Sequence, residues 1–389
     1  VNELYPSDQY GYSSLLSDPE LAVLARLRST LEARVQPLLA DHWDQGTFPD
    51  EIVQPLVDLS LMDPPEFEGE EPSALYCGFR NFELARTDAS VATFYNAQSG
   101  LFRTTVTRGG SPEQAARWDP DIRSFALTGV FCLTEPDHGS DIAGGLATTA
   151  RRSGDRWILD GTKRWIGGAT SADYLAVFAR DEADGEVKAF LVRSDAPGVQ
   201  VRTIARKASL RIMQNCDITL VGVEVDEEYR LQRVDAFRDV ASLLRSMRSD
   251  VAWIATGAQA GAYEAALRYV LEREQFGRPI AGFQLIQEKL AIMLGNLTSS
   301  LAMVVGVTQQ QHQGVFRDES SALAKMFCSL RLRETTRLAR EVVGGNGILL
   351  DYDVARFHAD AEAIYSYEGT HEVNALLVGR AITGISAFR

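Results

Sequence analysis

Between about residues 129 and 235 the chain reads as short β-branched and aromatic runs, while on either side it reads as helix. This one break in periodicity limits the fold more than any other feature. TGVFCLTE, RWILDGTKRWI, DYLAVFAR, VKAFLVR and CDITLVGVEV are interrupted by Gly, Asp and Pro, a pattern that predicts a β domain of about five to eight strands. Upstream, DPELAVLARLRSTLEARVQPLLADHW repeats Leu and Val at helical spacing, with Asp18 and Pro19 suited to an N-cap and first turn. Helical patterning continues at about 50–61 and 73–99. Downstream it returns in DAFRDVASLLRSM, VAWIATGAQAGAYEAALRYVLEREQF, FQLIQEKLAIMLGNLTSSLAMVVGVTQQQ and SALAKMFCSLRLRETTRLAREVV. These segments are Ala-rich and apolar all round, as in LAMVVGV, which suits a bundle covered on more than one side, other subunits included. The expectation is an α+β chain with a helical domain over 1–128, a β domain over 129–235 and a helical bundle over 236–389.

The order lacks the βαβ alternation of a doubly wound nucleotide fold, and no GxGxxG follows a strand despite 31 glycines. With 389 residues, 45% of them hydrophobic, a sizeable core is available and a disordered chain is excluded. The formal charge of −14 makes nucleic acid a poor partner. Only five of the 39 basic residues are lysines (163, 188, 207, 289 and 325). Cys77, Cys132, Cys216 and Cys328 are far apart with no CxxC, so neither a zinc site nor a disulfide framework is indicated. The opening VNELYPSDQYGYSS resembles no leader, and no run of 18 apolar residues occurs. A soluble cytoplasmic protein without stable membrane insertion is expected.

Several segments could carry chemistry. Thr134 to Asp141 gathers polar side chains after an apolar strand, as a turn or a binding loop would. Its His138 lacks companions for a metal. Trp165 precedes Gly167 and Gly168, which suits either packing or an indole laid against a flat ligand. Arg273 to Arg278 closes a long helix with two arginines, a phosphate clamp or a charged terminus. Gly344, Gly345 and Gly347 read as a tight turn whose N–H groups could hold a ligand oxygen. Near the C-terminus, Thr370 can cap a helix, and Glu368, between Tyr367 and Gly369, is a solvent-facing turn residue or, in apolar surroundings, a base of raised pKa.

Taken together, LTEP..GSD, KRWI, REQFG, QLIQ.KLA, GGNG and YEGTHEVN, in this order from about residue 18 onward, resemble the acyl-CoA dehydrogenase and oxidase flavoprotein family. RWIG, LR.MQN.DI and the Val251–Trp253 stretch look like the glutaryl-CoA dehydrogenase branch and plant short-chain acyl-CoA oxidases. The resemblance implies a helical domain, a middle β-barrel domain and a C-terminal four-helix bundle, assembled as a homotetramer with one FAD per subunit. It implies that Leu133, Thr134 and Ser140 meet the flavin and its pyrophosphate, and that Trp165 and Ile166 lie against the isoalloxazine. Arg273, Gln275 and Phe276, with Gln284, Gly344, Gly345 and Gly347, would cradle the cofactor of a neighbouring subunit, and Thr370 and Glu372 that of their own.

Glu368 matches the family's catalytic glutamate. By that match it removes the α-proton of an acyl thioester while the β-hydride passes to flavin N5, with its own N–H and the FAD ribityl 2′-hydroxyl polarising the thioester carbonyl. Where glutaryl-CoA dehydrogenases carry Arg and Ser for a distal carboxylate, this chain has Ala92 and Thr93, which argues against a decarboxylating reaction. Phe94 and Tyr95 then suggest a compact, partly apolar acyl group, and Arg248 a binding or orienting role. Pro64 to Glu71 and Trp118 to Asp121 also depart from the family pattern near the expected entrance, so the thioester is carried on CoA or on an acyl-carrier protein. Electrons pass to an electron-transfer flavoprotein or, in the oxidase alternative, to O₂. A flavin monooxygenase, which usually lacks this glutamate, and a non-enzymatic scaffold are more remote alternatives.

Overall fold

The computed structural model describes residues 4–388; the outermost limits of the expected first and last domains, residues 1 and 389, lie outside the described residues. The first helix, α1 (Asp18–Thr30), is capped by Ser17, one residue before the expected cap Asp18. Ser17 accepts from the Glu20 N–H, and the Glu20 carboxylate accepts from the Ser17 N–H at 2.8 Å, a reciprocal capping box. A π-helical turn at Leu31–Val35 leads into α2 (Gln36–Gln45), followed by α3 (Val53–Asp58). The patterned stretch 73–99 is two helices, α4 (Ala74–Thr87) and α5 (Ala89–Asn96), because Asp88 adopts an extended conformation between them. A second π-helical turn, Ala97–Phe102, precedes α6 (Arg103–Gly109) and α7 (Pro112–Arg123).

The middle of the chain forms a seven-stranded sheet from β1 (Gly129–Cys132), β2 (Thr149–Ser153), β3 (Arg156–Gly167), β4 (Tyr174–Asp181), β5 (Val187–Arg193), β6 (Val199–Thr203) and β7 (Asn215–Asp226). Its order is β1-β4-β2-β3-β7-β6, with β5 also on β4, and it curls as a half-barrel. One turn of helix, α8 (Ile142–Gly145), lies between β1 and β2. Strands β4 and β5 are buried on both faces: Val177 and Phe190 face one core, and Phe178, Ala189 and Leu191 face another shared with Phe102, Trp118 and Val240. Their sequences are therefore continuous apolar runs, while β3 and β7 alternate.

The last part is helical: α9 (Phe237–Glu272), α10 (Gln284–His312), α11 (Asp318–Val343), α12 (Val354–Ser366) and α13 (His371–Thr383). DAFRDVASLLRSM and VAWIATG, patterned as separate segments, are one uninterrupted helix of 36 residues. Close approach of α4 to α9 needs glycine on both sides. A Cβ on Gly78 would stand 2.3 Å from the Trp253 ring, and one on Gly257 would stand 2.1 Å from the Phe82 carbonyl oxygen. Helix α10 is long and apolar enough to cross a membrane, yet 44% of its most apolar window is buried in the fold, where it packs against α4 and α11.

The described chain divides into two compact units. One comprises the chain up to Ala92, Ala208–Ile212 and the chain from Arg248; the other comprises Thr93–Lys207 and Met213–Met247. Cys132, Cys216 and Cys328 are buried, and no disulfide is present among the described residues.

Candidate active site

In the first unit, α12 stops at Ser366, and the chain turns sharply before Thr370 starts α13 by accepting from the Val373 N–H at 3.2 Å. The turn is made by two consecutive residues of positive φ, Glu368 at 53° and Gly369 at 84°. Glycine takes this conformation freely, but a glutamate is strained there and stays only where its surroundings hold it. Asn374, itself buried, supplies part of that hold: its Nδ2 donates to the Gly369 carbonyl at 2.8 Å and the Thr370 carbonyl at 3.0 Å.

The Glu368 carboxyl has its pKa raised by burial, against the opposing pull of Arg248 and Lys325. Lys325, on α11, donates from Nζ to the carbonyls of Tyr365 at 2.7 Å and Gly369 at 2.8 Å. Glu372 is exposed in the first turn of α13, where its carboxylate is held below its ordinary range by backbone and Thr370 hydrogen bonds. Thus Arg248, Glu368, Thr370 and Glu372 are brought into one region of the unit.

A second region of the same unit is an open cleft of about 340 Å³ lined by Tyr269, Arg273, Gln275, Gly344, Gly345 and Asn346 among others. Arg273 to Arg278 is not a helix terminus. After α9 ends at Glu272, Glu274–Gln275 and Arg278–Pro279 pair as a small hairpin, β8 and β9, whose turn contains Phe276 at φ 55° and Gly277 at φ 76°. Phe276 is 93% exposed on the isolated chain. A Cβ on Gly344 or Gly345 would meet nothing, so their backbone is open to a ligand, whereas one on Gly347 would stand 2.4 Å from the Arg340 carbonyl oxygen. Gln284, exposed, opens α10.

In the second unit, Trp165 also has positive φ (66°), at an irregularity in the β3–β7 pairing between Lys163 and Ile166. Its indole is 53% exposed, so packing does not account for it. Ile166 and Leu133 are buried, Thr134 is partly exposed and Ser140 exposed. The loop after β1 is pinned from beneath. Lys163 Nζ donates to the Leu133 carbonyl at 3.1 Å and to Glu135 Oε1 at 2.8 Å, and the Glu135 carboxylate also accepts from the Ala147 and Thr148 N–H groups. Tyr95 is buried with its ring 5.5 Å from that of Phe125, while Thr93 and Phe94 are partly exposed.

Sequence models of three domains match the chain in register: acyl-CoA dehydrogenase N-terminal domain at 17–125, middle domain at 130–223 and C-terminal domain at 237–383. The chain belongs to the acyl-CoA dehydrogenase family. It is 32% identical over 360 residues to a 3-(aryl)acrylate reductase of Clostridium sporogenes, spanning 90% of this chain and 95% of that protein. A crystal structure of glutaryl-CoA dehydrogenase from Mycobacterium smegmatis superposes with a TM-score of 0.91 at 35% identity, covering 98% of this chain and 99% of that one. A structure of glutaryl-CoA dehydrogenase from the same organism in complex with FADH2 also scores 0.91, at 31% identity and 98% coverage of both chains. The protein is accordingly an oxidoreductase of the acyl-CoA dehydrogenase class.

Three buried polar residues were given no role by the sequence: Lys163 and Asn374, which lie inside KRWI and YEGTHEVN, and Lys325, which lies outside every motif. A signal existed for Lys325, a lone cation in the apolar stretch SALAKMFC, whose neighbours Ala322, Ala324 and Cys328 are all buried. Asn374 inside YEGTHEVN had none, because its value lies in two carbonyls that only the folded turn presents.

Proposed function

We propose that this acyl-CoA dehydrogenase oxidises the Cα–Cβ bond of a compact acyl thioester to the 2-enoyl thioester, with Glu368 as base and FAD as cofactor. The observation that carries the reading is a half-buried glutamate held in a strained left-handed turn, its pKa pushed up by burial with two cations nearby. Burial makes the ionised carboxylate costly, so taking a proton from carbon relieves that cost; Arg248 and Lys325 favour the ionised state needed to begin. Among the described residues no backbone hydrogen bond uses the Glu368 N–H, which leaves it to polarise a thioester carbonyl.

The residues present fit FAD. Arg273 and the bare backbone of Gly344 and Gly345 line an open cleft suited to a phosphate-bearing ligand, and Trp165 offers an exposed indole beside Gly167 and Gly168 suited to a flat ring. Leu133, Thr134, Ser140 and Ile166 would complete the ring side. Gln275, Phe276, Gln284 and Gly347 would complete the partner-subunit side of a homotetramer, and Thr370 and Glu372 would contact the cofactor of their own subunit. When bound, FAD supplies the hydride acceptor. A small buried Ala92, with Thr93, Phe94 and Tyr95 following it, supports an acyl group without a distal carboxylate, on CoA or a carrier protein. An aryl group belongs in the tested range, since a relative is named for reducing an aryl acrylate. Electrons then pass to an electron-transfer flavoprotein; steady peroxide formation in air would favour O₂ instead.

The test is anaerobic bleaching of the purified yellow protein by a panel of thioesters from butyryl-CoA to glutaryl-CoA and 3-phenylpropanoyl-CoA, with carrier-bound equivalents. Bleaching by a monocarboxylic member but not by glutaryl-CoA supports the proposal. A colourless protein, or a flavin that no thioester bleaches, overturns it.

A further inference from the structure

Lys325 has no exposed surface and stands among buried apolar neighbours on α11. Burial pushes its ammonium pKa down to about 8 even though Glu368 and Glu372 pull it upward. A methionine would pack there without the cost of desolvating a charge. What the ammonium gains is specific: its two acceptors, the Tyr365 and Gly369 carbonyls, bracket Ser366, Tyr367 and Glu368. Tyr365 lies in the last turn of α12, where carbonyls lack partners within the helix and a cation is favoured. Gly369 is the second left-handed residue of the turn. The grip is thus on the backbone either side of Glu368, while the carboxylate feels Lys325 through its charge.

Resting on Glu368 as the base, we infer that Lys325 is a positioning residue for that base. By holding carbonyls 365 and 369 it fixes the left-handed turn, and with it the direction of the Glu368 carboxylate and N–H. The charged groups facing Lys325 are Glu368 on the turn, Glu372 on α13 and Arg248 on α9, the last opposing it. Asn374 grips the Gly369 carbonyl from the other side, so the turn does not depend on Lys325 alone for its existence.

The experiment compares K325M, K325Q and K325R holoenzymes with wild type. It uses whichever CoA ester of the panel bleaches the wild-type flavin fastest, and measures FAD content, kcat, KM and the pH profile of kcat/KM. K325M is expected to keep its FAD and lose kcat by roughly tenfold to a hundredfold, the scale of a small misplacement of a reacting group. KM should change much less, and the acid limb of kcat/KM should move to higher pH because a cation beside the base has gone. K325R should return that limb toward wild type, and adding K325M to E368Q should cause no further loss, since the lysine acts through the glutamate. Unchanged kcat and acid limb in K325M, with E368Q inactive, overturn the inference and leave the base intact. A fully active E368Q overturns the base itself. Failure of both K325M and K325Q to fold would make Lys325 a structural residue and also overturn the inference.

Discussion

Lys163 and Lys325 are both fully buried, each donates to two oxygens, and burial pushes both ammonium pKa values down to about 8. They differ in the carboxylate beside them. Lys163 bonds the Glu135 carboxylate directly, two backbone N–H groups complete that carboxylate's shell, and its pKa lies below the ordinary range. Lys325 spends its hydrogen bonds on carbonyls and leaves Glu368 with a raised pKa. The first pair is closed and braces a loop; the second is open and leaves a carboxylate able to accept a proton. On the proposed reading, what separates the two buried cations is whether the neighbouring carboxylate's valences are left unused.

The largest effect on stability should come from the closed pair. K163M strands the buried Glu135 charge and is expected to cost about 3–5 kcal/mol in denaturant unfolding. A loss under about 1 kcal/mol would mean that the pair is not the brace described. Acid titration should separate the two carboxylates. Glu135, depressed in the fold, contributes stability that is present at neutral pH and lost as pH falls through its folded pKa. Glu368, raised in the fold, contributes stability at acid pH that is lost as pH rises through its folded pKa. E368Q should therefore steepen the loss of stability on the acid side by removing the opposing contribution alone, and an unchanged profile would contradict the burial assigned to that carboxyl.

The smallest effect should be at Trp165, another non-glycine residue of positive φ. W165G exchanges left-handed strain for a more flexible unfolded chain, so its apo stability should stay within about 1 kcal/mol of wild type while FAD is released more readily on dilution. Unaltered FAD retention would remove Trp165 from the cofactor surface.

The order of helix, sheet and helix was legible because it rests on periodicity, which each segment carries locally. The Thr370 cap was legible for the same reason. Positive φ at Trp165, Phe276 and Glu368 was not, since none is glycine and each is imposed by the paired strands or neighbouring helices. The hairpin at Arg273–Pro279 was hidden because two-residue strands leave no alternation, and the fusion within α9 because its polar interlude RSMRSD is as helical as what surrounds it. Glu368 itself was recognisable from its motif, but whether it was a solvent-facing turn residue or a half-buried carboxyl of raised pKa depended on α9 and α11, which lie far from it in sequence.

The central claim, that Glu368 takes the α-proton, is tested most directly by mixing E368Q holoenzyme anaerobically with the ester that bleaches the wild-type flavin. The account predicts a yellow, FAD-loaded protein that binds the ester but bleaches roughly a thousandfold more slowly or not at all. Bleaching of E368Q at the wild-type rate would contradict it.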